Sequence, residues 1–497
     1  MRRNVGTEIL RTLDSDPEAL AVVDDGHPVS RRELKDFVVR AAARLSGLGV
    51  APGDMVVVCA PRSVLHVGLA IAVVAQGSTY VPLDDVAPSA RNLRLVGRLK
   101  PSLLVAPPGS DMLDPASVPC PVVVLDECFA QQGESFQLTE HDGGDHCYVI
   151  HTSGSSGVPK GVLVGHGALL NRLEGCQETY PIGPGDRVLW HANVGFDFSL
   201  WEMFAPLLLG ASIIIGSGEE DPESLARDMV AAGVTVVHFV PRMLDRALSE
   251  VVKVGTLRFV FSGGATLPTA VVNRWVADRP DVPLFNQYGP TEACIDALTH
   301  RCAALPDEID VPIGSPNPGY TLLVVDDELR PLPPTSVGEL IIGGVGVGEG
   351  YVGRPDLTEQ VFVELDEDLY GAKRFYRTGD RAFTDEAGLF HFVGRLDRQV
   401  QVNGVRVELG EVEAALLGLD GVVEAHVLPI VQDEYVVGLE AFVVGEAGLK
   451  IHEIRRRLVG AVPISLIPGR MTMWPCGALP RTHKGEVDIS ALRKGSP

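Results

Sequence analysis

Apolar residues recur at helical spacing across 31–48, at Leu34, Phe37, Val38, Ala42, Leu45 and Leu48, and the spacing predicts a helix there. A continuous apolar run at 55–60, bounded by Gly-Asp and Pro-Arg, reads as a short buried strand. A second helical stretch at 65–76 leads into Tyr80-Val-Pro-Leu-Asp84. The alternation continues through an apolar run at 212–215, a helix at 222–232, and runs at 234–240 and 257–262. Such a pattern predicts an α/β fold with mainly parallel sheets covered by helices. Ligands then belong at the carboxyl ends of the strands, where Ser262-Gly-Gly264 and Asn286-Gln-Tyr-Gly-Pro290 fall.

From about 310 the pattern changes to short strands between turns, at 321–325, 339–342, 375–377 and 389–393, which reads as a β-barrel-like subdomain. Val400-Gln-Val-Asn-Gly-Val-Arg-Val407 alternates with period two around Asn403-Gly404, a hairpin signal suited to a type I′ turn. A helix at 409–417, strands at 424–431 and 435–444, and a helix at 451–460 then make a small α+β unit. The boundary falls near Asp397, dividing the chain into an N-terminal core, 1–396, and a C-terminal domain, 397–497.

Length and composition fit this division: 497 residues exceed one ordinary core, and 45% hydrophobic with 22% charged residues marks a globular chain. A net charge of −23 argues against nucleic acid or an anionic membrane as a partner. The eight cysteines stand singly, without a Cys-x-x-Cys pair or zinc spacing, and read as small buried hydrophobes of a reduced compartment. Met1-Arg-Arg lacks the apolar run of a signal peptide and no stretch approaches a membrane span, so a cytoplasmic location is expected.

The candidate chemistry centres on Tyr148-Val-Ile-His-Thr-Ser-Gly-Ser-Ser-Gly-Val-Pro-Lys-Gly161. A β-prone entry breaks into glycines and hydroxyls whose backbone N–H groups are free to wrap an anion, and Lys160 adds positive charge. The spacing departs from the Walker pattern, and a Gly/Ser linker is the competing account. Asn286-Gln-Tyr-Gly-Pro-Thr-Glu-Ala293 joins a ring, a tight turn, a hydroxyl and a carboxylate, the parts of a nucleotide–metal site or of a structural turn. Tyr376-Arg-Thr-Gly-Asp380 places a carboxylate after a turn, able to accept two ribose hydroxyls. Asp197 interrupts the apolar segment Phe196-Asp-Phe-Ser-Leu-Trp-Glu-Met-Phe204, which is costly unless a cation pairs with it, whether a ligand amine or a salt-bridge partner.

In this order the motifs resemble those of the adenylate-forming enzymes, in particular the amino-acid adenylation domains of non-ribosomal peptide synthetases, over nearly the whole chain. The resemblance implies that Thr152, Ser153, Gly154, Ser155, Ser156, Gly157 and Lys160 hold the β- and γ-phosphates of ATP. It implies that Tyr288 stacks on adenine with Gly263 and Gly264 on the other face, within a site that includes Asn286 and Gly289. By the same resemblance Thr291 meets the α-phosphate, Glu292 binds Mg²⁺, and Asp380 takes the ribose hydroxyls, with Arg395 assisting at the ribose or phosphate. Asp197 receives the substrate ammonium. The specificity positions fall on Asp197, Phe198, Trp201, His238, Val260, Ser262, Gln287, Ile295 and Asp296, a set similar to that of serine-activating domains. Phe198 and Gln287 depart from it, so threonine, 2,3-diaminopropionate or a small β-amino acid stay open. The segments 338–344 and 348–354 read as scaffold.

The resemblance also implies a mobile C-terminal domain that turns about Asp397, presenting a lysine for adenylation and the Gly404 hairpin for thioester formation. One departure stands out. The family writes Thr-x-x-Gly-Lys-x-Asp, whereas Thr482-His-Lys-Gly-Glu-Val-Asp488 has Glu486 at the lysine position and Lys484 two residues earlier. A carboxylate repels developing phosphate charge, and Lys484 is expected to substitute. The expected function is ATP-dependent activation of a small polar amino acid, best serine, as aminoacyl-AMP, followed by loading of a phosphopantetheinylated carrier protein in trans. An acyl-CoA or amide-forming ligase and a catalytically weak scaffold are the alternatives.

Overall fold

The computed structural model describes residues 3–114, 117–126, 129, 146–154, 159–216, 221–459, 462–475, 477–483 and 486–495. The chain divides into two units, one of Met1–Asp85, Val96–His151 and Gly161–Leu396, the other of Val86–Leu95, Thr152–Lys160 and Asp397–Pro497.

In the larger unit a nine-stranded sheet has a parallel interior, running through Leu284–Tyr288, Phe259–Gly263, Val236–Phe239, Arg187–Trp190, Ser212–Ile215 and Leu20–Asp24, with antiparallel strands at both edges. Being covered on both faces, its strands are apolar at consecutive positions rather than alternate ones. Val236, Phe261 and Phe285 face a core containing Tyr180 and Trp201. Val237, Phe239, Val260 and Leu284 face a second core built with the helices Pro222–Ala232, Pro241–Val251 and Thr269–Asp278. The register Val237↔Val260, His238↔Phe261 and Gly263↔Gln287 fixes which residues share a face.

A second sheet of the larger unit pairs Met55–Val58 in parallel with Thr79–Pro82 and Leu103–Ala106. The helix predicted at 31–48 spans Arg31–Gly47 and starts at a capping box in which Ser30 and Glu33 satisfy each other's backbone N–H groups. The β-rich part after about 310 is a five-stranded antiparallel sheet of Tyr320–Val325, Gly338–Gly344, Phe362–Glu364, Arg374–Thr384 and Phe390–Arg395.

In the smaller unit Gln399–Val402 and Val405–Glu408 form the hairpin expected from the alternation. Asn403 (φ 52°) and Gly404 (φ 81°) both adopt the positive φ that a type I′ turn demands. Leu409–Leu417 and Ile451–Val459 pack on a sheet of Val422–Gln432, Tyr435–Gly445 and Arg470–Met473, around Val407, Val412, Leu416, Val427, Leu439 and Ile454. Among the described residues no helix is long and apolar enough to cross a membrane, and the six described cysteines are free, five of them buried.

Candidate functional site

The site of the larger unit grows from the start of the helix Phe198–Leu208. Asp197 is the residue that precedes the first turn, and Trp201 lies one turn along. Phe198 stacks on His238 with centroids 3.6 Å apart and an interplanar angle of 21°. Trp201 lies 5.4 Å from Phe198 and meets Phe261 edge-on at 5.5 Å. Burial, then His191, holds His238 well below the ordinary imidazole range, so it acts as a neutral ring. A Cβ on Gly263 would lie 3.4 Å from His238 Nε2 and 2.8 Å from the Gln287 carbonyl, which closes this position to other residues. Gly264 has φ +82°, also a glycine conformation.

Strand parity corrects part of the expected pocket. Val260 belongs to the second core, and Ser262, paired with Phe239, shares its side of the sheet. Residues two apart on a strand share a face, so neither reaches the Trp201 side, and Phe261 between them takes that place. Asn286, paired with Ser262, likewise turns away, its Nδ2 donating to the Pro312 carbonyl at 2.9 Å.

Asp197 is sealed at its Oδ2, which has no hydrogen-bond partner among the described residues. Burial pushes its pKa up to about 7, opposed by hydrogen bonds from Thr291 and the Phe198 N–H and reinforced by Glu292 and Asp296. The nearby guanidinium serves another carboxylate. Arg172 grips Asp296 through Nε at 2.5 Å and Nη2 at 2.7 Å, and Asn317 Nδ2 donates to Asp296 at 3.1 Å. Both oxygens of Asp296, one of the expected specificity positions, already accept hydrogen bonds within the protein. Asp197 is thus left without a cation on its Oδ2 among the described residues.

Three of the residues expected around adenosine, Tyr288, Asp380 and Arg395, are joined by hydrogen bonds. The Tyr288 hydroxyl donates to Asp380 Oδ2, and Arg395 Nη1 donates to Oδ1 at 2.5 Å across paired strands. Gly289 lies so close to the next loop that a Cβ would stand 2.4 Å from Asp296 Cα. In that loop Cys294 (φ 56°) and Ile295 (φ 77°) are both left-handed, an outlier for a β-branched residue of the kind that collects at ligand sites. Glu292 is fully buried and accepts a hydrogen bond from the Tyr351 hydroxyl at 2.7 Å. The segment 348–354, expected as scaffold, thus supplies a positioning group that nothing in the sequence pattern marks. Among the described residues no three metal-ligating side chains cluster. A single buried carboxylate fits Mg²⁺ that takes its other ligands from phosphate and water.

In the smaller unit Thr152 is buried, with Oγ1 lacking a partner among the described residues. Ser153 Oγ donates to the Arg406 carbonyl at 2.9 Å. Burial pushes Glu411 up to about 7, offset by Arg91, the Gly154 N–H and Lys160. The carboxylate therefore sits where this loop offers an N–H and a positive charge to an anion. Asp397 is exposed and accepts from the Gln399 N–H at 3.0 Å. Ser155, Ser156, Gly157 and Lys484 lie outside the described residues; Glu486 is exposed, and its carbonyl accepts from the Thr482 N–H at 2.7 Å.

Residues 10–352 match the family model for AMP-binding enzymes. The chain belongs to that family. Over 96% of its length it is 35% identical to one of the plipastatin synthase subunits of Bacillus subtilis (strain 168), of which it spans 19%. Over 98% of its length it is 33% identical to zwittermicin A synthase ZmaJ of Bacillus cereus, of which it spans 93%. The structure of holo-PA1221, a non-ribosomal peptide synthetase protein containing adenylation and PCP domains, matches with a TM-score of 0.86 and 25% identity, covering 99% of this chain and 84% of that one. The protein is thus an adenylate-forming enzyme of the non-ribosomal peptide synthetase type, for which ATP is the nucleotide substrate. In this adenylation domain the carboxylate at 197 stands at the opening of the helix Phe198–Leu208, and Tyr288, Asp380 and Arg395 form one hydrogen-bonded group.

Proposed function

We infer that this adenylation domain activates a small hydroxylated α-amino acid, serine above others, and passes it to the phosphopantetheine thiol of a carrier protein. The observation that carries the reading is Asp197, whose buried Oδ2 has no partner among the described residues while Arg172 is bound to Asp296. A substrate ammonium supplies the missing charge. The rings of Phe198, Trp201 and His238 narrow the space beside it to a short side chain.

In the first step a carboxylate oxygen of the amino acid attacks the α-phosphorus of ATP, and the bond to the β-phosphate oxygen breaks to release pyrophosphate. Thr291 orients this reaction through its hydrogen bond with Asp197. Mg²⁺ held by Glu292 would neutralise charge on the phosphates. In the second step a thiolate attacks the acyl carbon and AMP leaves. The loop residues Thr152, Ser153, Gly154 and Lys160 are assigned to phosphate binding, Asp397 to the hinge and Gly404 to the approach of the pantetheine chain.

Amino-acid-dependent pyrophosphate exchange tests the reading: serine is expected to give the highest rate, and a panel without any active amino acid would refute it. Lys484→Ala is expected to lower that exchange by at least about tenfold, since one charge-assisted contact to a phosphate contributes about 1.5–3 kcal/mol. Glu486→Lys is expected to raise it by removing like-charge repulsion. Unchanged exchange in Lys484→Ala removes this lysine from the reaction.

A further inference from the structure

The buried polar atoms on the Trp201 side form a chain that neither half-reaction uses. Arg172 and Asp296, with side chains 1% and 3% exposed, make a two-pronged ion pair. The same Arg172 Nη2 donates to the Tyr180 hydroxyl at 2.5 Å, and Gln287 Nε2 donates to that hydroxyl at 3.0 Å. The Tyr180 ring cannot drift, being packed against Phe261 at 4.6 Å, Phe285 at 5.3 Å and Trp201 at 6.4 Å. One end of the Gln287 amide is therefore pinned, and the other end, Oε1, is buried without a partner among the described residues. Trp201 Nε1 is in the same condition. Both side chains are more than nine-tenths buried.

Gln287 Oε1 lacks a donor and Trp201 Nε1 lacks an acceptor, and a single ligand atom answers both only if it gives and takes a hydrogen bond. A hydroxyl does both, an ammonium only donates, and a methyl does neither. Building on the reading of Asp197 as the ammonium partner, we propose that these two atoms open on one substrate hydroxyl, and that Arg172 and Tyr180 are positioning residues that hold the Gln287 amide for it. They thereby set the preference for a hydroxylated side chain over alanine and over 2,3-diaminopropionate. The Arg172–Asp296 pair anchors the device, and Gln287, the departure from the usual serine set, is the group it aims.

The test uses the full chain and compares kcat/KM in pyrophosphate exchange for serine, alanine and 2,3-diaminopropionate. In the unaltered protein serine leads both. Tyr180→Phe keeps the ring and deletes the hydroxyl; it is expected to lower the serine-to-alanine ratio by about tenfold or more, with the KM for ATP unmoved. Gln287→Leu is expected to do the same without touching Tyr180, so the proposal stays testable if Tyr180→Phe fails to fold. Combining the two should cost little beyond either alone, because both break one relay. A ratio unchanged within about twofold in either folded variant, effects that multiply, or a preference for 2,3-diaminopropionate in the unaltered protein overturns the relay. Exchange with no amino acid at all strikes the Asp197 reading on which it rests; serine-dependent exchange with an unmoved ratio strikes the relay alone.

Discussion

Replacing Asp197 with alanine is expected to lower kcat/KM for the amino acid by about 10²–10³-fold, leaving ATP binding within about twofold. Removing one partner of a buried ion pair costs about 3–5 kcal/mol, and every 1.4 kcal/mol is tenfold. Asp197 is suited to so large an effect because its Oδ2 is sealed and the side chain that hydrogen-bonds to it is the neutral Thr291 hydroxyl, so no described cation takes the place of the substrate amine. The same burial gives a pH signature. In the ligand-free protein the carboxyl titrates at about 7, so below that pH the amine meets a neutral acid. kcat/KM for the amino acid should then fall about tenfold per pH unit below about 7, while the KM for ATP stays flat. For stability the sign is opposite to that of an ordinary salt-bridged aspartate. A folded pKa above the unfolded 3.8 means the fold favours the protonated form, so stability is fully present below about 4 and is lost as pH rises toward about 7. Asp197→Asn should therefore be more resistant to denaturant than the unaltered protein at pH 8, and equally resistant at pH 4.

Replacing Arg172 with methionine is expected to destabilise the larger unit by about 3–5 kcal/mol, the largest stability loss anticipated for a single residue here. The arginine is almost wholly buried and neutralises Asp296, which hydrogen-bonds to no other cation among the described residues. The cost comes from the carboxylate left behind rather than from the contact itself, so the double variant Arg172→Met with Asp296→Leu should recover most of it. Denaturant unfolding at pH 7 distinguishes the two. A single variant within about 1 kcal/mol of the unaltered protein would contradict the buried-pair account, as would a double variant no better than the single.

Legibility in the sequence follows the range of the interaction that decides each feature. Ser30 and Glu33, three residues apart, announce the helix they cap, and Asn403-Gly404 announces its own turn. Asp197 stands out in the sequence because an acid at an apolar helix start has few explanations. The fold class follows from apolar runs at the covered strands of the nine-stranded sheet. Val260 and Ser262 escape such a reading for a different reason: a one-residue difference in strand phase sends a side chain to the opposite face, and runs such as Val-Val-His-Phe show no alternation that would reveal it. Arg172 and Asp296 lie 124 residues apart and carry no local signature, so only the folded chain discloses that they neutralise each other. Tyr351 is hidden by its setting in a glycine-rich strand, from which its hydroxyl reaches Glu292 across 59 residues.

The most direct test of the central claim compares serine with 3-hydroxypropionate, which keeps the carboxylate and the hydroxyl and lacks the amine. Pyrophosphate exchange in the unaltered protein should be strong with serine and lower by about 10²-fold or more with 3-hydroxypropionate, because nothing then neutralises Asp197. Equal exchange with the two acids would contradict the account of Asp197 as the partner of a substrate ammonium.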